Sequence, residues 1–322
     1  MSDEPAARKV ALICGVNGQD GTYLAQFLLA KGYEVWGTSR DAQGSSFHNL
    51  NFLRIRDQVN TISLVPDDFR SVFLSIKKSR PDEIYYLAGQ SSVGLSFEQP
   101  AETMQSTVLG VLNVLESCRL VDHPVRLYHA GSSDCFGDTN GQPADETTPF
   151  RPSSPYAVAK ASAHWLLDNY RNAYGIHAST GILFNHESPL RPARFVTQKI
   201  ISTVKRIAAG SNEKLQLGRL DIQRDWGWAP EYVDAMWRIV QQARPQDYVI
   251  ATGQTNTLEQ FVAKAFDHFN LNWTKHVTQA PELLRPTDPL IIAGNPKKAE
   301  ISLGWKAKKH MDEVVTAMIT SS

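Results

Sequence analysis

Short apolar runs alternate, over the first 184 residues, with longer segments whose apolar positions fall three and four apart. The runs at 10–14, 33–38, 59–65, 83–88, 125–130 and 178–184 have strand length. Residues 22–30 (with Leu24, Phe27 and Leu28), 69–79, 103–119 and 155–174 carry helical spacing. Alternation of this kind predicts an α/β fold, a doubly wound parallel sheet with helices on both faces. After about residue 185 the pattern loosens. Residues 185–194 are rich in proline and polar side chains and predict a loop, 195–209 a helix, and 246–252 one more strand. Thr257 starts a further helix, with Gln260 at the reciprocal capping position. A tail with Pro281, Pro286, Pro289 and Pro296 ends in a short helix. The pattern divides the chain into a dinucleotide-binding domain (1–184, plus about 226–256) and a smaller C-terminal α/β substrate domain (185–225 and 257–322).

Between the first strand and the first helix lies GVNGQDG, with Gly15, Gly18 and Gly21 three apart. Gly15 can make the tight turn, Gly18 lets the backbone approach a diphosphate, and Gly21 lets the helix pack close to the sheet. Free N–H groups and partial positive charge at the helix start complete an anion site. Glycines also mark ordinary turns, but this placement favours a Rossmann-type cofactor site, with Asn17, Gln19 and Asp20 filling the turn. The second strand ends in Thr38-Ser39-Arg40 rather than in an acidic residue. Ser39 and Arg40 suit a ribose 2′-phosphate, which points to NADP. Asp41 follows at once and pulls the other way, and a solvated Arg40 is the plain alternative.

A second constellation lies downstream. Tyr156 and Lys160, four apart in PYAVAK, share one helix face. An ammonium beside a phenol lowers its pKa, so Tyr156 could accept a proton from a sugar hydroxyl. Ser132, Ser133 and Asp134 follow a predicted strand, at the sheet edge where open parallel sheets bind ligands. Ser132 could orient the oxygen being oxidised and Asp134 could carry acid–base work. Surface packing for the pair and turn chemistry for Ser-Ser-Asp are the alternatives each motif leaves open in isolation.

Charge and cysteine content narrow the field further. Lys plus Arg and Asp plus Glu number 33 each, so no global attraction for nucleic acid or an anionic membrane is expected. An anionic ligand must be held by local groups. Cys14, Cys118 and Cys135 are scattered and lack metal-ligand spacing, which predicts reduced thiols, no metal and a cytoplasmic chain. The polar N-terminal stretch MSDEPAARK has no apolar segment of a secretory leader, and no apolar run reaches the roughly 18 residues of a membrane span.

The stretches GVNGQDGTYLAQFLLAKGYEVWG, PDEIYYLAGQSSVGLSFEQP, ETTPFRPSSPYAVAKASAHW, GILFNHESPLRPARFVTQKI, RDWGWAPEYVDAMW, DYVIATG and KKAEISLGW resemble the GDP-mannose 4,6-dehydratase family of extended short-chain dehydrogenases. They span nearly the whole chain. The resemblance implies that Tyr156 and Lys160 are the catalytic pair, with Ser132 in place of a family threonine and Asp134 in place of a family glutamate. It implies NADP as cofactor, with Asp67 at the adenine, Asp68 beside it, and Leu87, Ala88 and Gln90 lining the pocket. It places Ser91, Ser133 and Asn185 at the nucleotide sugar and Phe195, Val196 and Lys199 on the guanosine side. Leu217, Gly218 and Arg219 join the substrate set, Arg224 and Arg285 clamp the diphosphate, and Asp288 stands where a glutamate holds the ribose.

Departures from the family pattern bear on the chemistry. Asp134 is one methylene shorter than glutamate, and Ser92 replaces a usual histidine. Dehydration of GDP-mannose is the expected activity. Reduction or C4 epimerisation of a GDP-4-keto sugar, dehydration of a related sugar such as a heptose, and non-catalytic nucleotide binding stay open. The loop DAQGSSFHNL keeps Ser45, Ser46 and Phe47 of a family contact between subunits but little of its positive charge. A homodimer is expected, with a homotetramer as the alternative.

Overall fold

A computed structural model describes residues 8–321. Most of the N-terminal stretch bearing on a leader lies outside the described residues. The first half runs β1 (Val10–Cys14), α1 (Gln19–Ala30), β2 (Glu34–Ser39), α2 (His48–Phe52), β3 (Val59–Ser63), α3 (Phe69–Ser79), β4 (Glu83–Tyr86), α4 (Val93–Glu98), α5 (Pro100–Met104), α6 (Gly110–Leu120), β5 (Arg126–Ser132), α7 (Pro155–Tyr174) and β6 (His177–Leu183). The second half runs β7 (Asn185–Glu187), α8 (Val196–Ala208), β8 (Leu215–Leu217), β9 (Gln223–Arg224), β10 (Trp226–Trp228), α9 (Ala229–Gln241), β11 (Tyr248–Ile250), β12 (Asn256–Thr257), α10 (Leu258–Asp267), β13 (Val277–Gln279), α11 (Lys297–Leu303) and α12 (Met311–Thr320).

Seven strands form one sheet in the order β11-β6-β5-β4-β1-β2-β3, and every pairing is parallel. Strand order reverses at β1, which opens a crevice at the C-terminal ends of β1 and β4. The doubly wound fold read from the alternation is therefore present. Its two faces follow from the period of two along β1. Ala11 and Ile13 pack with Leu24 and Leu28 of α1 and Met236 of α9, while Leu12 and Cys14 pack with Ile76 of α3 and Leu167 of α7. A separate apolar cluster joins Ile200 and Val204 of α8, Phe261 and Phe266 of α10, and Val314 and Met318 of α12.

Several elements differ from expectation. α1 begins at Gln19, because Gly18 is its N-cap and its polar first turn carries no apolar signal. The single helix predicted over 103–119 is instead α5, a π-helical turn at Gln105–Leu109, and α6. The predicted loop 185–194 contains β7, which pairs parallel with β10. α9 occupies a stretch given no element, although Tyr232, Val233, Met236, Ile239 and Val240 form a helical stripe against the sheet. Ala299, Leu303 and Trp305 pack into the sheet core beside α9 and β11, not with α10 and α12.

Candidate active site

The crevice opens into a cleft of about 670 Å³, lined by the glycine turn, the ends of β2, β4, β5 and β6, and the segment leading into α8. Gly15 has φ +88°, and an added Cβ would sit 3.1 Å from the Ala88 backbone. A Cβ on Gly21 would sit 2.8 Å from Val16 Cα and closer still to Gly15 O. Each glycine is thus required by close backbone approach. The α1 N-terminus faces the cleft with no side-chain cap, leaving its N–H groups for an anion.

The neighbours of this turn are held by polar contacts. Asn17 holds the start of α2: its carbonyl accepts from Asn49 Nδ2 at 2.7 Å and its Oδ1 from Asn49 N at 3.2 Å. Gln19 Nε2 donates to His186 O at 3.1 Å, and Ser188 Oγ donates to Gln19 Oε1 at 2.8 Å. Asp20 accepts from His186 Nε2 at 2.9 Å. Asn17, Gln19 and Asp20 line the cleft, but their side chains tie the turn to its surroundings.

At the end of β2, Ser39 and Arg40 line the cleft. Arg40 pairs with Glu102 across it. Asp41 turns away, with Oδ1 accepting from Gln43 N at 3.0 Å and Gly44 N at 2.9 Å. Leu87, Ala88, Gln90 and Ser91 line the pocket, joined by Leu64 and Pro66. Asp67 is exposed and outside the lining. Asp68 caps α3 by accepting from Arg70 N at 2.9 Å and is also outside it. Ser92 caps α4 and lines the cleft.

Ser154 accepts from Ala157 N at 3.1 Å and Pro155 occupies the first turn, so α7 starts in register with Tyr156 at its mouth. Lys160, one turn on, donates from Nζ to Ala130 O at 2.8 Å. Its ammonium lies 5.9 Å from the Tyr156 ring centroid. Ser132 Oγ donates to Asp134 Oδ2 at 3.1 Å and accepts from Asp134 N at 3.2 Å. Ser132, Ser133, Asp134, Tyr156 and Lys160 all line the same cleft. Burial lowers the Lys160 pKa to about 8. Burial, then the nearby Asp134 charge, raises that of Tyr156, against a smaller opposing contribution from Ser132. The expectation that Lys160 depresses the Tyr156 pKa is corrected for the chain alone, because the ammonium is spent on Ala130 O and the phenol is buried.

On the substrate side, Asn185, Phe195, Val196, Arg224 and Arg285 line the cleft. Arg224 is buried, donates to Gln223 O at 2.8 Å and pairs with Asp288 at 2.9 Å. Burial lowers its pKa. Other expected contacts are not brought together. Lys199 Nζ donates to Gln216 O at 2.7 Å, Leu217 is a core residue, and Arg219 pairs with Asp221 in solvent. Gly218 abuts Leu283 O, and Asp288 stands behind the arginines rather than in the lining. The sequence pattern missed His186, Glu187, Arg191 and Arg194, all of which line the cleft. Arg191 lies 3.8 Å from the Phe195 ring centroid and pairs with Glu187 at 3.2 Å. Their signal was the run NHESPLRPAR, polar residues at a β-strand's C-terminal end.

The seven-stranded parallel sheet and the cleft at its strand ends define the class, a Rossmann fold of the short-chain dehydrogenase type. UDP-glucose 4-epimerase from Thermotoga maritima matches with a TM-score of 0.85 at 21% identity, over 96% of this chain and 97% of that one. dTDP-glucose 4,6-dehydratase from Bacillus anthracis matches with a TM-score of 0.84 at 16% identity, over 97% and 95%. At such identities the likeness concerns the fold. Sequence goes further: the family model described as GDP-mannose 4,6 dehydratase matches residues 12–318. GDP-mannose 4,6 dehydratase 1 of Arabidopsis thaliana is 42% identical over 99% of this chain and 91% of its own length. The GDP-mannose 4,6-dehydratase of Sinorhizobium fredii is 40% identical over 97% and 96%. The chain belongs to the GDP-mannose 4,6-dehydratase family.

Proposed function

We propose that the chain is an NADP-dependent lyase that converts GDP-mannose to GDP-4-keto-6-deoxy-D-mannose. The observation that carries this is a carboxylate, Asp134, hydrogen-bonded to Ser132 in the cleft that also holds Tyr156 and Lys160. Reduction or epimerisation at C4 needs no such carboxylate, whereas removal of a C5 proton does.

NADP fits the residues present: the glycine turn admits a diphosphate, Arg40 and Ser39 sit at the end of β2, and Asp41 is withdrawn into its own turn. When bound, NADP would supply the hydride acceptor for C4 and the hydride returned to C6. Tyr156 takes the C4 hydroxyl proton and Ser132 orients that oxygen. Lys160, held on the Ala130 carbonyl one turn along α7, would help hold bound NADP at the same mouth. Asp134 removes the C5 proton, made acidic by the adjacent ketone, and protonates the departing C6 hydroxyl as water; once C6 has received hydride, C5 takes a proton from solvent. Asn185, Phe195 and Val196 position the nucleotide sugar, and Arg224 and Arg285 hold its diphosphate.

The same proposal divides the chain into a dinucleotide-binding part around the seven-stranded sheet and a substrate part around α8, α10 and α12. It includes a cytoplasmic homodimer, which Val158 and Trp165, exposed along α7, support as an apolar face. Among the described residues no helix is long and apolar enough to cross a membrane.

Incubation with GDP-mannose and catalytic NADP⁺ tests the activity. The expected product has lost one water, carries solvent deuterium at C5, and accumulates no NADPH. C4 inversion with the water retained, or stoichiometric NADPH consumption on a 4-keto sugar, would replace dehydration by epimerisation or reduction.

A further inference from the structure

We infer that His186 is a positioning residue for the dinucleotide: as an imidazolium it neutralises Asp20 in the first turn of α1 and pins that turn to the substrate-side strand β7. This rests on the proposed use of the α1 N-terminus as a diphosphate site. No role was given to His186 by the sequence pattern.

Both ring nitrogens of His186 face acceptors. Nδ1 lies 2.7 Å from Phe184 O, and Nε2 lies 2.9 Å from Asp20 Oδ2. A backbone carbonyl can only accept, so Nδ1 carries a proton. With that proton placed, a neutral ring would turn the Nε2 lone pair towards a carboxylate. The arrangement closes only when the His186–Asp20 pair holds one further proton. The ring is buried and stacks on Tyr232 at 4.4 Å between centroids, so it cannot swing into water.

The surrounding charges are few. Burial alone would lower the His186 pKa, but the charge and hydrogen bond of Asp20 override it and raise it, with Arg191 opposing. Tyr128 of β5 and Lys160 of α7 also face Asp20, and Tyr232 is a buried phenol whose own proton is held tightly. Glu187, the next residue on β7, is engaged by Thr197 Oγ1 at 2.7 Å and by Arg191.

The consequence follows from charge. While protonated, the pair is neutral at the mouth of a site built for a diphosphate. When the proton leaves, a net negative charge remains in the first turn of α1, where it offsets the positive charge of the helix N-terminus and repels an incoming anion. Bonds from Gln19 to the His186 carbonyl and from Ser188 to Gln19 tie the same turn to the β7 segment, whose first residue is Asn185. Cofactor affinity therefore falls as pH rises through the raised His186 pKa.

The test uses the full chain, with NADP⁺ titrated against it from pH 6 to pH 9 and binding read by tryptophan fluorescence. The expected result is affinity about ten-fold weaker at the alkaline end, a change of the size that one uncompensated charge produces. H186Q should already bind weakly at pH 6, and should keep only the fall near pH 8 that loss of the Lys160 charge contributes. H186Q/D20N should recover much of the affinity, since the charge that needed neutralising is gone. Nitrogen-15 spectra of histidine-labelled wild-type chain should show His186 doubly protonated at pH 7. A neutral His186 at pH 7, or a double variant no better than H186Q, would overturn the inference. Absence of NADP⁺ binding at any pH would instead strike the cofactor assignment itself.

Discussion

Arg224 and Asp288 form a buried ion pair, Nη2 to Oδ1 at 2.9 Å, and Arg285 approaches the same carboxylate oxygen at 3.7 Å. Asp288 therefore aligns two guanidinium groups whose other faces meet the cleft. The two arginines are unequal, because Arg224 is 6% exposed and also serves the Gln223 and Leu290 carbonyls, while Arg285 is far more open.

Arg285→Ala should weaken GDP binding by about ten-fold or more and leave the melting temperature within a degree or two, since one charge-assisted contact to a phosphate is lost. Arg224→Ala should also destabilise the chain by about 3 kcal/mol, because Asp288 and two carbonyls lose a buried partner. Calorimetric titration with GDP and thermal unfolding separate the two effects. Equal melting temperatures for both variants would contradict the buried role of Arg224.

Asp134 and Ser132 are linked through both side chain and backbone, so the carboxylate is fixed by the turn after β5 and not by its own length. Asp134→Asn should lower turnover by about 10²- to 10⁴-fold, the usual worth of a general acid–base. GDP affinity should change less than two-fold, and deuterium incorporation at C5 should disappear. Asp134→Glu, which restores the family's residue type, should keep measurable dehydration. Loss of GDP affinity in Asp134→Asn would place this residue at the nucleotide instead.

Gly21→Ala adds a methyl group 2.8 Å from Val16 Cα, against backbone that has nowhere to move. Cofactor affinity should fall by at least ten-fold, and stability by about 1–3 kcal/mol, as expected for overpacking. Gly32→Ala is a control with open space around it but φ +84°, so it should cost backbone strain and no cofactor affinity. Comparable NADP⁺ affinities for the two variants would argue against the close approach at Gly21.

Much of this was legible in the chain because β strands buried on both faces are continuous apolar runs, and the glycine turn follows the first of them. The Ser154 cap and Pro155 fix the frame of α7, so the Tyr156–Lys160 spacing could be trusted to put both at one mouth. Illegible were residues whose job depends on a distant partner. Asp68 reads as a ligand contact until its bond to Arg70 N is known. Leu217 is a core residue because β8 pairs with β13, Leu217 opposite Gln279, 62 residues on. His186 gives no periodic signal at all, since its meaning lies in Asp20, 166 residues away.

Lys160 gives a pH dependence with a definite sign. Its pKa falls from 10.5 in the unfolded chain to about 8 when folded, because burial penalises the ammonium. Between those values the unfolded chain binds more protons, so stability rises with pH from about 8 towards 10.5. Below about 8 the folded chain carries the full cost, on the order of 3 kcal/mol from the size of the shift. Replacing the ammonium by an apolar group of similar length removes that cost along with the Ala130 hydrogen bond. Lys160→Met should therefore be more stable than the parent at pH 7 by about 1–3 kcal/mol, and melt higher, while losing turnover. The advantage should shrink as pH approaches 10, where the parent's lysine is neutral in the folded state. Thermal unfolding of both chains without added nucleotide, across this range, reads the difference directly. A Lys160→Met chain less stable at pH 7 would mean that the Ala130 carbonyl compensates the buried charge.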